Sequence, residues 1–202
     1  RIKTFFGGKS GLPANNILSL HTTRKGALWI GTSKGPVRFD FIKESFVQHD
    51  TSLAAVYAFE EDGNGNIYAG AVNDLFRYTT KWENLSAAFG LQERMRAIRR
   101  LKFFNDRMLY VANNENLPFY EIDIAANRVD SIPYKTAYGD TCCLIMYGLE
   151  KLNDSSLLVG FLSWGIAKLN IHNRRYEVAP GVLCRNDSIR YNTIYGMIRH
   201  QR

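Results

Sequence analysis

No apolar stretch in this 202-residue chain is long enough to cross a membrane as a helix. The longest apolar-rich run, Leu157 to Leu169, is interrupted by Ser163 and Lys168, whereas a spanning helix needs about 20 apolar residues. The chain opens on Arg1 with no basic-then-apolar leader. It is therefore expected to stay out of the bilayer, and the missing initiator predicts a piece of something longer. Cysteine is scarce: Cys142, Cys143 and Cys184 have no C-x-x-C spacing and no nearby His pair, which argues against a structural zinc site. They are expected to act as small buried apolar residues, and their disulfide state stays open.

Catalytic signatures are missing too. "GFLSWG" around Ser163 lacks the G-x-S-x-G elbow, so a structural turn accounts for it better. His21, His49, His172 and His200 fall without ligand spacing and read as surface or core residues. The run Asp62-Gly63-Asn64-Gly65-Asn66 begins like a calcium loop, but Ile67 stands where glycine is needed and Asn73 where the closing Glu belongs. Asn64-Gly65 instead predicts a hairpin turn, because glycine supplies positive φ without steric cost. No catalytic residue, metal or cofactor is expected.

What is present is strand chemistry. Hydrophobic residues make up 46% and aromatics 13%, with 16 glycines and short runs rich in Thr, Val, Ile and Tyr, which predicts an all-β chain with many tight turns. The formal charge of +7 raises the question of a polyanionic partner. Basic residues are nevertheless spread along the chain, with one cluster in "RMRAIRRLKFFNDR". If residues 96 to 103 form a strand, Arg96, Arg100 and Lys102 share one face with Ile98, and Arg99 shares the other with Leu101 and Phe103. That mixed surface predicts a solvated or intermolecular face first, an anionic-ligand site second and a nucleic-acid surface last.

A short core recurs four times, as "LWIG" ending at Gly31, "IYAG" at Gly70, "LYVA" at Ala112 and "LLVG" at Gly160, with spacings of 39, 42 and 48 residues. Upstream, Ile17, Val56, Ile98 and Met146 form one column and Leu20, Phe59, Leu101 and Leu149 another. Downstream, Phe39, Tyr78, Ile122 and Leu169 align, preceded by Arg38, Arg77, Glu121 and Lys168, and the runs "SFVQH", "WENLS", "RVDSI" and "RYEVA" follow. Four short strands per unit of this length predict β-propeller blades, over approximately 12–50, 51–90, 91–135 and 136–181. "RIKTFF" (1–6) reads as an orphan outer strand. "NTIYGMIRHQR" (192–202) repeats "NNILSLHTTRK" at an offset of 177 and reads as an orphan inner strand. Such a partial propeller leaves blade faces open, so a homo-oligomer or further blades are expected to cover them.

The segments "GLPANNILSLHTTRKGALWIGTSKGPVRFD" and "AVYAFEEDGNGNIYAGAVNDLFRY" resemble the two-component regulator propeller repeat. The first copy carries Gly11, Leu12, Pro13, Asn15, Asn16, Gly26, Leu28, Trp29, Ile30, Gly31, Thr32, Gly35 and Phe39 of its pattern. The second keeps Gly65, Asn66, Gly70, Phe76 and Tyr78, and the third and fourth are degenerate. The resemblance implies the periplasmic sensor region of a Bacteroidetes hybrid two-component system, joined to the membrane through other parts, with histidine kinase, receiver and DNA-binding parts after it. It also implies a role in regulating glycan use.

Sugar recognition needs planar hydrogen-bonding groups and an aromatic face on loops held by a rigid scaffold. The loops between second and third strands supply both, through Lys34, Asn73, Asp74, Asn113, Asn114, Glu115, Asn116 and Trp164. These are the expected oligosaccharide contacts, and Arg96, Arg99, Arg100 and Lys102 the expected anionic or interface residues. Trp29 is expected between blades, because Tyr68 and Tyr110 occupy its column. The alternatives are a propeller-fold glycan lyase or hydrolase and a plain protein-interaction scaffold.

Overall fold

The computed structural model describes residues 3–7, 11–48, 53–91, 94–113, 119–133, 146–161 and 165–178. They form four antiparallel four-stranded sheets, each with its strands in sequence order. Strands β1 (Ile17–Thr22), β2 (Leu28–Thr32), β3 (Gly35–Asp40) and β4 (Ser45–Gln48) make the first. The second holds β5 (Val56–Glu61), β6 (Ile67–Ala71), β7 (Leu75–Tyr78) and β8 (Trp82–Asn84). β9 (Arg100–Phe103), β10 (Met108–Ala112), β11 (Phe119–Asp123) and β12 (Arg128–Ile132) make the third. β13 (Met146–Asn153), β14 (Ser156–Phe161), β15 (Gly165–Asn170) and β16 (Arg175–Val178) make the fourth. These are propeller blades, and every recurring core falls on a second strand.

The chain divides into two compact units, residues 1–98 and 99–202. In the first, the sheet of β1–β4 packs against that of β5–β8. Trp29 leaves its own sheet to join Val56, Phe59, Ile67, Ala69 and Ala71 of the next, and its ring lies 5.1 Å from Tyr78 and 5.5 Å from Trp82. The expectation that Trp29 lies between blades agrees with this geometry. In the second unit Tyr110 and Ala112 of one sheet join Met146, Leu149, Leu157 and Val159 of the other. Side chains alternate across each strand, so Trp29 and Gly31 face the following blade while Leu28 and Ile30 face away from it.

The columns acquire a physical reason here. Val56, Ile98 and Met146 are fully buried, and Phe59, Leu101 and Leu149 nearly so, because an inner strand packs its apolar side into a blade seam. Ile17 and Leu20, in the same columns, are 41% and 67% exposed. Part of their blade's outward face is covered from the N-terminal side, where Phe5 stacks edge-on against Phe39 and Phe46 and Leu12 joins Ile30 and Val37. Of the orphan strand expected over 1–6, the described residues 3–6 form no strand; they lay Phe5 on the first blade. Residues 192–202 lie outside the described residues.

The expected strand over 96–103 begins only at Arg100. Ala97 has a φ of 44° and its N–H donates to the Val72 carbonyl, while the Ile98 N–H donates to Ala71 at 3.0 Å. Those bonds tie residues 97 and 98 to the second blade before the chain can enter a ladder. Arg96 is exposed and Ile98 buried, so the simple two-face alternation across 96–103 does not hold. The run "WENLS" yields strand only to Asn84, whose side chain then caps a helical turn, Leu85–Ala88, by accepting from the Ala87 N–H; asparagine is a favoured N-cap.

Turns repeat as faithfully as strands. Asp62 accepts from the Asn64 and Asn66 N–H groups and from the Asn66 side chain, and Gly65 has a φ of 85°. The expected hairpin turn is what forms. Between third and fourth strands, Asp40, Asp123 and Asn170 each accept from N–H groups two or three residues on.

Asp123 also receives the Arg107 Nε at 2.7 and 2.8 Å. The Arg107 hydrogen bonds, more than the Ala126 N–H and against partial burial, hold its carboxyl down at about 2. A folded pKa below the unfolded one adds stability that is complete above the unfolded value and is lost as pH falls through the folded value. The urea midpoint of the native chain should therefore exceed that of Asp123→Asn at neutral pH. The gap should close between pH 3.8 and about 2, and a gap constant across that window would contradict the pairing.

In the third blade Glu121 lies directly opposite Asp130, an unfavourable like-charge pair. Arg174, at the turn before β16 with a φ of 56°, answers it. Its guanidinium lies 3.0 Å from Asp130 and 3.6 Å from Glu121. The equivalent ladders elsewhere carry their own opposite charges, Arg77 with Glu83 at 2.7 Å and Lys168 with Glu177 at 3.2 Å.

Candidate functional site

In every sheet the first strand enters beside the end of the second. Ile17 pairs with Thr32, Val56 with Ala71, Arg100 with Ala112 and Met146 with Phe161. The turn between second and third strands therefore lies at the entrance of the inner strand, which is where the candidate residues gather within each unit. In the first unit Lys34 is held by its N–H on the Thr32 hydroxyl at 3.0 Å. Asn73 and Asp74 form the turn closed by the Ala71 N–H on the Asp74 carbonyl at 2.9 Å. The backbone bonds of Ala97 and Ile98 to Val72 and Ala71 bring Arg96 to that same turn.

In the second unit Asn113 is fully buried and follows Ala112, whose carbonyl accepts the Arg99 N–H at 2.8 Å while its Cα pairs with Arg100. The structure thus brings Asn113, Arg99 and Arg100 together. Asn114, Glu115, Asn116 and Trp164 lie outside the described residues, as do Cys142, Cys143, Cys184, His49 and His200. Lys102 is committed to Glu150 of the neighbouring blade at 3.0 Å, so it joins two sheets and is not an open cation.

Three of the four inner strands enter through a β-bulge. The register slips between Ile17 and Ser19, between Val56 and Ala58, and between Met146 and Gly148. In the third blade Arg99 and Arg100 both address Ala112. A bulge re-aims a side chain at a sheet edge, and the re-aimed residues are Leu18, Tyr57, Arg99 and Tyr147. Arg99 Cζ lies 6.0 Å from the Tyr147 ring centroid, within cation–π range. Tyr147 was not among the sequence candidates; aligning it with Arg99, one residue after the column of Ile98 and Met146, would have found it.

The charge state of this corner is distinctive. Burial lowers the pKa of Arg100, and the neighbouring Arg99 charge lowers it further, against an opposing effect of Tyr147. Other buried polar groups do structural work. Burial, with Asp62 second, pushes the Tyr68 hydroxyl up to about 12, and burial with Glu121 raises Tyr110. Both stay protonated near neutrality. Tyr110 donates to Glu121 at 3.1 Å. Among the described residues no three His, Cys, Asp or Glu side chains gather as metal ligands. In each unit the turns after the second strands carry polar groups, and in the second unit an arginine pair lies beside an aromatic ring.

Residues 11–34 match the two component regulator propeller family. That is the first repeat, from its Gly-Leu-Pro opening to the turn bearing Lys34. Two solved structures of the extracellular domain of BT4673 from B. thetaiotaomicron are similar. One is described as a one component system, with a TM-score of 0.66 and 17% identity over 86% of this chain and 25% of that one. The other is described as a hybrid two component system, with a TM-score of 0.65 and 18% identity over 93% and 24%. The β-propeller domain of Cps50 (Swd1) from Myceliophteria thermophila follows with a TM-score of 0.63 and 12% identity over 82% and 56%. The chain therefore spans about a quarter of the BT4673 domain. No curated protein matches the sequence. Among the described residues no helix is long and apolar enough to cross a membrane.

Proposed function

We propose that this chain is a non-catalytic part of an extracytoplasmic, periplasmic sensor propeller in a hybrid two-component signalling protein, that it detects an oligosaccharide, and that it controls a downstream kinase and transcription. The observation that carries this reading is the regulator-propeller repeat at residues 11–34, set in a fold shared with the extracellular domain of a hybrid two component system. The proposed contacts fall unit by unit: Lys34, Asn73 and Asp74 at the polar turns of the first, and Asn113 with Asn114, Glu115, Asn116 and Trp164 in the second. A ligand transmits by changing how blades or subunits pack, since only a differential affinity for two arrangements shifts their populations. On the same reading a further blade, or a second copy of the chain, covers Ile17 and Leu20.

Titration calorimetry of the chain against neutral and acidic oligosaccharides tests this. Saturable heat from at least one saccharide, weakened by Asn113→Ala or Lys34→Ala, is the expected result. Absence of heat from every saccharide would count against the sensor reading.

A further inference from the structure

The four blades share a column at the inner-strand entrance, two residues after Ile17, Val56, Ile98 and Met146. Its members are Ser19, Ala58, Arg100 and Gly148, and they pair with Gly31, Gly70, Ala112 and Gly160. Three of the four are small, and in the first blade this is where the sheet abuts the backbone of the next. The Ser19 hydroxyl donates to the Val56 carbonyl at 3.1 Å, and a Cβ built on Gly31 would come 2.4 Å from that same oxygen. Arg100 breaks the rule with a long cation, half-buried in the seam.

The residue before it breaks the repeat too. The bulge column reads Leu18, Tyr57, Arg99 and Tyr147, and only the third blade places a charge there. Two successive guanidiniums thus stand at one inner-strand entrance, with the Arg100 Nη1 donating to the Arg99 carbonyl at 2.7 Å and Arg99 over the Tyr147 ring. Packing does not call for this. The column tolerates Ser, Ala or Gly, and a half-buried like-charge pair opposes folding. Residues that violate the local rule of a repeat at a stability cost are expected at binding sites.

We propose that Arg99, Arg100 and Tyr147 form an oxyanion-binding subsite for a carboxylate or sulfate group carried by a saccharide, so that the ligand of this propeller is an acidic oligosaccharide. Arginine suits the role because its planar fork matches a carboxylate or sulfate through two parallel N–H···O bonds. Tyr147 offers a ring face and a hydroxyl to the sugar that carries the anion. The inference rests on the sensor reading above for the saccharide, but not for the anion.

The 202-residue chain is titrated with a uronate trisaccharide, a sulfated trisaccharide, a neutral trisaccharide of equal length, and inorganic sulfate, in the native form and as Arg99→Gln and Arg100→Gln. At least one acidic trisaccharide should bind tenfold or more tightly than the neutral one, each substitution should remove that advantage, and added salt should weaken binding. Which of the two acidic probes binds more tightly identifies the group. Arg100→Gln should also raise the urea midpoint, which a purely structural arginine would lower. Equal binding of acidic and neutral trisaccharides, or acidic binding insensitive to both substitutions, overturns the subsite and leaves the saccharide reading intact. Binding of sulfate alone, lost in both variants, keeps the anion site and removes the saccharide. Silence from every probe overturns both.

Discussion

Trp29→Ala should lower the stability of the first unit by about 3–5 kcal/mol, the range for truncating a large buried aromatic residue. Trp29 is 2% exposed and is the side chain through which the first blade enters the core of the second. Its ring contacts Phe59, Tyr78 and Trp82, so the substitution removes transfer energy and also opens a void between two sheets that cannot easily collapse. Trp29→Phe keeps an aromatic in the seam and should cost less. Urea denaturation followed by fluorescence measures both, since Trp82 and Trp164 remain as reporters. A cost below about 1 kcal/mol for Trp29→Ala would mean that the seam does not hold the blades together.

That the seam was readable at all follows from what a repeat must do. Within each unit one blade meets the next through side chains of the same type, aromatic at Trp29 and Tyr110 and apolar at Phe59 and Leu149. Columns of that kind are visible in a single sequence because the chain supplies its own comparison. The β-bulge was not visible. Its extra residue faces no constant partner, so Leu18, Tyr57, Arg99 and Tyr147 share no side-chain type, and only their place one residue after the column of Ile17, Val56, Ile98 and Met146 marks them. Strand alternation alone puts Arg99 and Arg100 on opposite faces and does not bring Arg99 to Tyr147. The helical turn after Asn84 was missed for a different reason. Its signal was present as Asn84 followed by Leu-Ser-Ala-Ala, but the repeat called for strand there. Lys34, Asn73, Asp74 and Asn113 follow the ends of second strands, because the glycine or alanine closing each core marks where the strand stops.

Gly31→Ala should destabilise the first unit by about 1–3 kcal/mol, the usual cost of overpacking a filled site, although the change adds a single carbon. Gly31 does not lie in the left-handed region, so backbone conformation gives no reason for glycine, and alanine alone would favour a strand. Sterics reverse that expectation. A Cβ at Gly31 would fall 2.2 Å from the Ser19 hydroxyl and 2.4 Å from the Val56 carbonyl oxygen. The hydroxyl can rotate away, but it would lose its bond to that carbonyl. The carbonyl belongs to the bulged entrance of β5 and can yield only if the second blade moves. Gly70→Ala meets the Ile98 Cγ2 at 2.4 Å and Cβ at 2.8 Å, but the backbone oxygen there stands off at 3.0 Å instead of 2.4 Å, so it should cost less than Gly31→Ala. In the third blade the same position is already Ala112, and it is fully buried. The order expected from urea midpoints is therefore Gly31→Ala below Gly70→Ala, both below the native chain. A neutral or stabilising Gly31→Ala would show that the blades are not in backbone contact there, and the argument from the small column to Arg100 would fall with it.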